Sequence, residues 1–220
     1  MLNKINNSTN FGWHYRMHTK ILNSAADSQN LKAGNSYVFH VLQNAVIKPD
    51  FDEFFMYNEN HFYYPDKKIK SFFDFNGKHN AKYVYLEHLN KFFDALKQKH
   101  YTESIDHAGR ALHYLQDITQ PQHIESGSIL KKALDKTMHH EFEMQAYADC
   151  DKLIKQHTPV ALVQNADFAS LFNQTTNLSL QNKIPTRKNK AEWNEIAQNG
   201  VNLALDATKR FLEIFITQIK

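Results

Sequence analysis

Apolar residues recur along this chain at helical spacing and almost nowhere at the two-residue alternation of a strand. Residues 13–26 (WHYRMHTKILNSAA) place Met17, Ile21, Leu22 and Ala25 on one face, which predicts an amphipathic helix. A second helix is predicted over 36–47, ending before Lys48-Pro49. Residues 49–66 (PDFDEFFMYNENHFYYPD) read differently: aromatic, Asp- and Asn-rich, with proline near both ends. That pattern predicts a long ordered loop, and loops of such length are commonly functional. Helices follow over 78–97, 102–118 and 128–156. The Asn- and Gln-rich stretch 164–190 reads as partly irregular, and an amphipathic helix over 191–219 closes the chain. No internal repeat or linker interrupts this pattern, so the expectation is an all-α fold in one domain spanning 1–220, with residues 1–12 an N-terminal extension.

Composition agrees. The 220 residues are 42% hydrophobic, enough for a substantial core, and 6 Gly with 5 Pro is sparse for a turn-rich β protein. A net charge of +3 calls for neither nucleic acid nor an anionic membrane. Cys150 is the only cysteine, which excludes an internal disulfide. No apolar run reaches the length of a transmembrane helix, and MLNKINNSTNFG is too short and polar for a signal peptide. Histidine is the outlier, with 13 in the chain, and it turns attention to metal and acid–base chemistry.

Several of these histidines are placed for ligation. In GRALHYLQDITQPQH, His113 and Asp117 are four apart and so share one helical face. Pro121 then ends or bends the helix, which lets His123 turn toward the same volume or a neighbouring one. His139 and Glu143, in HHEFE, repeat the four-residue spacing. His18, Asp50 and His61 complete a set of neutral imidazoles and carboxylates suited to zinc. Eight such residues exceed one zinc, and the two oxygens of Asp117 are able to bridge ions, which points to a multi-metal hydrolytic site. Taken singly, each residue is as readily a core or surface side chain. A di-iron bundle would need Glu-x-x-His motifs, which are absent.

HFYYPD, NAKYVYLEHL, GRALHYLQDITQPQH and HHEFE occur in the order seen in the bacterial zinc-dependent phospholipase C family, which the chain resembles over about residues 13–145; the single-strand nucleases of fungi are more distantly similar. The resemblance implies a multi-helix fold with up to three zinc ions. Asp50, His61, His113 and Asp117 would hold the first, and His123, His139 and Glu143 the second. His18 and Asp117 would share the third with Trp13, whose free amine completes that site in the family. Twelve residues precede Trp13 here, so its nitrogen is an amide unless the chain is cleaved before it. Asp50 doubles as the residue that orients or deprotonates the attacking water. Phe51, Tyr57 and Phe62 are candidates for an aromatic wall able to hold a quaternary ammonium.

The activity implied is phosphodiester hydrolysis by a phospholipase C, with a phosphatidylcholine-like lipid as substrate and the chain acting as a secreted or periplasmic monomer. No signal peptide is visible in the sequence, so a cytosolic location, non-classical export, or the mature part of a longer precursor all stay open. A single-strand nuclease or 3′-nucleotidase is the alternative. The five-residue step from Trp13 to His18 favours it; HFYYPD, Glu143 and the absence of disulfides count against it. A non-catalytic zinc-binding relative is the third reading.

Overall fold

The computed structural model describes residues 13–52, 60–63, 65, 80–124, 129–164 and 166–220, with side chains between 129 and 136 left aside. Among them the chain is helical, with no strand. It runs α1 (Tyr15–Ser28), α2 (Leu31–Gly34), α3 (Ser36–Ala45), α4 (Pro49–Asp52), α5 (Ala81–Lys97), α6 (Tyr101–Asp117), a 3₁₀ turn (Pro121–His123), α7 (Ile129–Lys155), α8 (Phe168–Ser179), a second 3₁₀ stretch (Arg187–Glu192) and α9 (Trp193–Gln218). The all-α expectation holds. α4 begins the segment expected to be loop, and α8 lies within the stretch expected to be partly irregular. Its Asn and Gln residues mask a helical stripe: Phe168, Leu171, Phe172, Thr175, Thr176 and Ser179 are buried, and Asp167 caps the first turn by accepting from Ser170 N at 2.7 Å.

Two apolar clusters hold the helices together. The larger joins α1, α3, α5, α6, α8 and α9 through residues such as Leu22, Leu42, Phe92, Leu112, Phe172 and Phe211. The smaller joins α1, α7 and α9 through Trp13, Ile21, Phe142, Leu153 and Trp193. Each fully buried Leu or Phe stabilises by roughly 1.5–3 kcal/mol relative to exposure. α5 and α6 form a hairpin whose turn places Lys99 at a positive φ of 61°.

α6 positions the candidate chemistry. Residues 111–124 are all buried, although they include two histidines, an aspartate and three glutamines. Such a polar stretch is tolerated at the centre of a fold only when its groups have partners or ligands. Gly109, one turn earlier, lets α3 come close: a Cβ there would stand 2.5 Å from Ala45 Cβ and 3.1 Å from Leu42 O. Salt links join the α3–α4 corner to the same helix. Arg110 reaches Asp106 at 3.0 Å and Asp52 at 2.5 Å, and Lys48 pairs with Asp106. Arg110 therefore ties α4 and its Asp50 to α6.

Candidate metal centre

α6 carries His113 and Asp117 on one face. Asp117 Oδ2 lies 3.1 Å from His113 Nε2 and 2.6 Å from His61 Nδ1, while its Oδ1 lies 3.3 Å from His18 Nε2. Three histidines from three different segments therefore converge on one buried carboxylate. His113 Nε2 also stands 3.1 Å from His61 Nδ1 and 3.9 Å from Asp50 Oδ1. Past Pro121, which opens the 3₁₀ turn, His123 Nε2 faces His139 Nε2 at 3.3 Å, and His139 Nε2 lies 2.6 Å from Glu143 Oε1. Three groups result: His18/His113/Asp117, Asp50/His61/His113 and His123/His139/Glu143, each with its ligand-type atoms within 4.8 Å of one another.

The donor set fits zinc. With bonds of roughly 2.0–2.1 Å, neighbouring donors on a tetrahedral zinc stand about 3.3 Å apart, close to the His–His and His–carboxylate separations here. Four atoms at the centre of the cluster have no hydrogen-bond partner among the described residues: His18 Nε2, both oxygens of Asp50, and Asp117 Oδ1. Orphaned acceptors and donors aimed into one buried volume are costly without a ligand to satisfy them.

Outer contacts fix the rings. His113 Nδ1 donates to Val46 O at 2.8 Å and His123 Nδ1 to His61 O at 2.8 Å, leaving each Nε2 lone pair facing the cluster. His18 Nδ1 donates to Gln116 Oε1 at 2.7 Å, and Gln116 Nε2 donates to Thr208 Oγ1 of α9 at 3.0 Å. Gln116 and Thr208 are positioning residues that no pattern in the sequence marks, because their partners lie on remote helices.

Electrostatics follow from the geometry. Burial alone would raise the Asp117 carboxyl, but His113, His18 and His61 hold it well below the ordinary carboxylate range. Burial opposes a proton on His18, yet Asp117 and Asp50 raise it above the usual imidazole value. Asp50 is pushed up by burial, which the facing histidines only partly offset. His123 is driven down to about 3 by burial, against the pull of Asp117, so its ring is neutral and able to ligate at pH 7.

The remaining candidates fall as follows. Trp13 is fully buried; its indole Nε1 donates to Thr119 Oγ1 at 3.0 Å, and its ring lies against Gly200, where a Cβ would stand 2.9 Å from it. Phe62 is buried and stacks on His123 with ring centroids 4.5 Å apart. Phe51 is 55% exposed and meets Tyr15 edge-on at 5.2 Å. Tyr57 lies outside the described residues. His139 is the ligand candidate nearest solvent, with 12% of its side chain exposed.

No family model and no curated protein matches the sequence. The fold is nevertheless that of the clostridial alpha-toxins. The alpha toxin from Clostridium absonum superposes with a TM-score of 0.69 at 17% identity, covering 96% of this chain and 64% of the toxin. The alpha-toxin of Clostridium perfringens from avian strain SWCP gives 0.68 at 17% identity, with 97% and 65% covered. The chain thus spans somewhat under two thirds of the length of these toxins.

Proposed function

We propose that this chain is a zinc-dependent phosphodiester hydrolase whose reaction is that of a phospholipase C on phosphatidylcholine-like lipid. The observation that carries this reading is the convergence of His18, His61 and His113 on Asp117, beside the His123/His139/Glu143 group. The toxin-like fold and the phospholipase-like motifs HFYYPD and LHYLQD support it. Asp50, His61, His113 and Asp117 would hold one zinc, His123, His139 and Glu143 a second, and His18 with Asp117 a third, completed by Trp13 if its amine is freed. When bound, zinc supplies Lewis acidity, which neutralises phosphate charge and makes water easier to deprotonate.

The protein groups supply the rest. Asp50, buried and with neither carboxylate oxygen hydrogen-bonded among the described residues, would receive the proton of the attacking water. Gln116, Val46 O and His61 O hold the imidazoles in register. Phe51 and Tyr15 form an apolar edge on α4 and α1 by which a lipid can approach. No helix among the described residues is long and apolar enough to cross a membrane.

The test is a paired assay of zinc-loaded protein on phosphatidylcholine micelles and on single-stranded DNA. Release of phosphocholine and diacylglycerol is expected. DNA cleavage alone would move the chain to the nuclease reading, and inactivity on both with zinc bound would make it a non-catalytic relative.

A further inference from the structure

α5 and α6 carry another pair of imidazoles, outside the centre described above. His88 Nδ1 on α5 lies 3.1 Å from His107 Nδ1 on α6, with ring centroids 5.2 Å apart and planes tilted by 33°. Both rings are partly accessible to solvent; 19% of the His107 side chain is exposed. His88 stacks on Tyr114 at 12° and 6.0 Å, and the other side of that contact is the main cluster, with His61 at 5.6 Å and His113 at 5.2 Å from the Tyr114 ring. One phenol ring therefore separates the pair from the candidate zinc ligands.

Three features suit the pair to a cation. The separation of the two nitrogens is that of adjacent donors on one metal ion, about 3 Å. Burial lowers His88 to about 3, reinforced by His107, and burial also lowers His107, so both rings are neutral ligands at pH 7. Among the described residues, the cations acting on the pair are matched by carboxylates: Lys91 by Glu87 at 2.5 Å, and Arg110 by Asp106 and Asp52. Glu103, one turn before His107 and 4.0 Å from its Nε2, adds negative charge alongside. The two helices are locked by their own apolar contacts, including Leu89 and Phe92 on α5 and Ile105, Ala108 and Leu112 on α6, so binding orders little that is not already ordered.

We propose that His88 and His107 form a second, two-histidine site for a divalent transition-metal ion of the copper(II), nickel(II) and zinc class, with solvent filling the remaining positions. Imidazole nitrogen suits these ions, and copper(II) stands highest in the affinity order. The site is independent of the zinc centre proposed above and shares no ligand with it.

Copper(II) titrated into zinc-saturated protein at neutral pH, read by electron paramagnetic resonance, tests the site. One bound copper with two nitrogen ligands is expected, with zinc content by elemental mass spectrometry unchanged. His88→Gln and His107→Gln should each weaken that copper by about tenfold or more, as loss of a ligand contact does, with zinc retained. Histidine nitrogen NMR on the unsubstituted protein gives the same reading if either variant folds poorly: the His88 and His107 Nδ1 signals should broaden at the lowest copper and most strongly, ahead of those of His61 and His113. Copper that persists in both variants, binds nowhere, or enters only as zinc leaves would overturn the proposal. Should the protein hold no zinc at all, the same titration still reads this pair, so the two ideas fail separately.

Discussion

Gln116 joins His18 to Thr208: its Oε1 accepts the His18 Nδ1 proton at 2.7 Å, and its Nε2 donates to the Thr208 hydroxyl at 3.0 Å, all three side chains being fully buried. This bridge from α1 through α6 to α9 fixes which nitrogen of His18 faces Asp117. Gln116→Ala should lower affinity for the metal next to His18 by about 10–100-fold, the usual effect of removing an outer partner of a ligating histidine. Competition with a zinc chelator measures it. An unchanged affinity would mean that packing alone orients His18.

Asp117 is shared, and sharing has a stoichiometric consequence. Its Oδ2 serves His61 and His113 while its Oδ1 faces His18, whereas the His123/His139/Glu143 group does not include it. Asp117→Asn should therefore remove more than one equivalent of zinc, and His123→Gln only one. Elemental analysis after dialysis separates the two, and equal losses would contradict a bridging role.

Gly109 allows the approach of α3 that brings Val46 O within 2.8 Å of His113 Nδ1. Helix propensity alone would favour Gly109→Ala by about 1 kcal/mol. The added methyl meets Ala45 Cβ at 2.5 Å and the Leu42 carbonyl at 3.1 Å, however, and neither is a flexible side-chain tip. Overpacking of this kind costs about 1–3 kcal/mol or more. The net expectation is a destabilisation of up to about 2 kcal/mol, seen as a fall of up to about 6 °C in Tm, with weaker metal binding at His113. A more stable variant would show that α3 yields freely.

The i,i+4 pairs His113/Asp117 and His139/Glu143 were legible because a helix converts sequence spacing directly into a shared face. The convergence of His18 and His61 on Asp117 came only through resemblance to known motifs, since each lies on a segment whose docking is decided by tertiary packing. Gln116, although inside the most informative motif, carries no spacing signal of its own: what makes it matter is Thr208, ninety-two residues away. The His88/His107 pair is invisible to sequence spacing for the same reason, being nineteen residues apart on facing helices. α8 was obscured by composition, because Asn and Gln suggest irregular backbone while its buried Phe168, Leu171, Phe172 and Thr175 keep helical register.

In zinc-free protein, His88 should make stability fall in acid. Burial lowers its folded pKa to about 3, below the ordinary 6.5 of the unfolded chain. The unfolded state then binds the extra proton, so the contribution is complete above pH 6.5 and declines as pH falls toward 3. The loss is on the order of 1 kcal/mol per pH unit across that window. His18, whose pKa is raised, works in the opposite sense, so the cleanest reading is a difference. Urea unfolding at pH 7 and at pH 5 should show a shallower acid loss for His88→Gln than for the unsubstituted chain. Identical slopes would mean that His88 is solvated enough to titrate normally.

Arg110 tests whether the α4 corner matters to chemistry or only to stability. Its guanidinium spans Asp106, one turn earlier on its own helix, and Asp52, two residues beyond Asp50. Asp52 is half exposed, so the pair with it is screened, and Arg110→Gln should cost only about 1 kcal/mol of stability. Asp50 is more sensitive. Its carboxylate has no hydrogen bond of its own among the described residues and stands 3.9 Å from His113 Nε2, so apart from the zinc it would hold, the anchoring of α4 is what keeps it aimed at the cluster. A displacement of about 1 Å in a reacting group can lower kcat by as much as about 100-fold. The expected phenotype is near-normal zinc content, a small drop in Tm and a kcat lower by about 10–100-fold, with KM little changed. A parallel loss of zinc and activity would instead place Arg110 among the determinants of metal binding, and unaltered kcat would show that Asp50 holds its aim without the Arg110–Asp52 link.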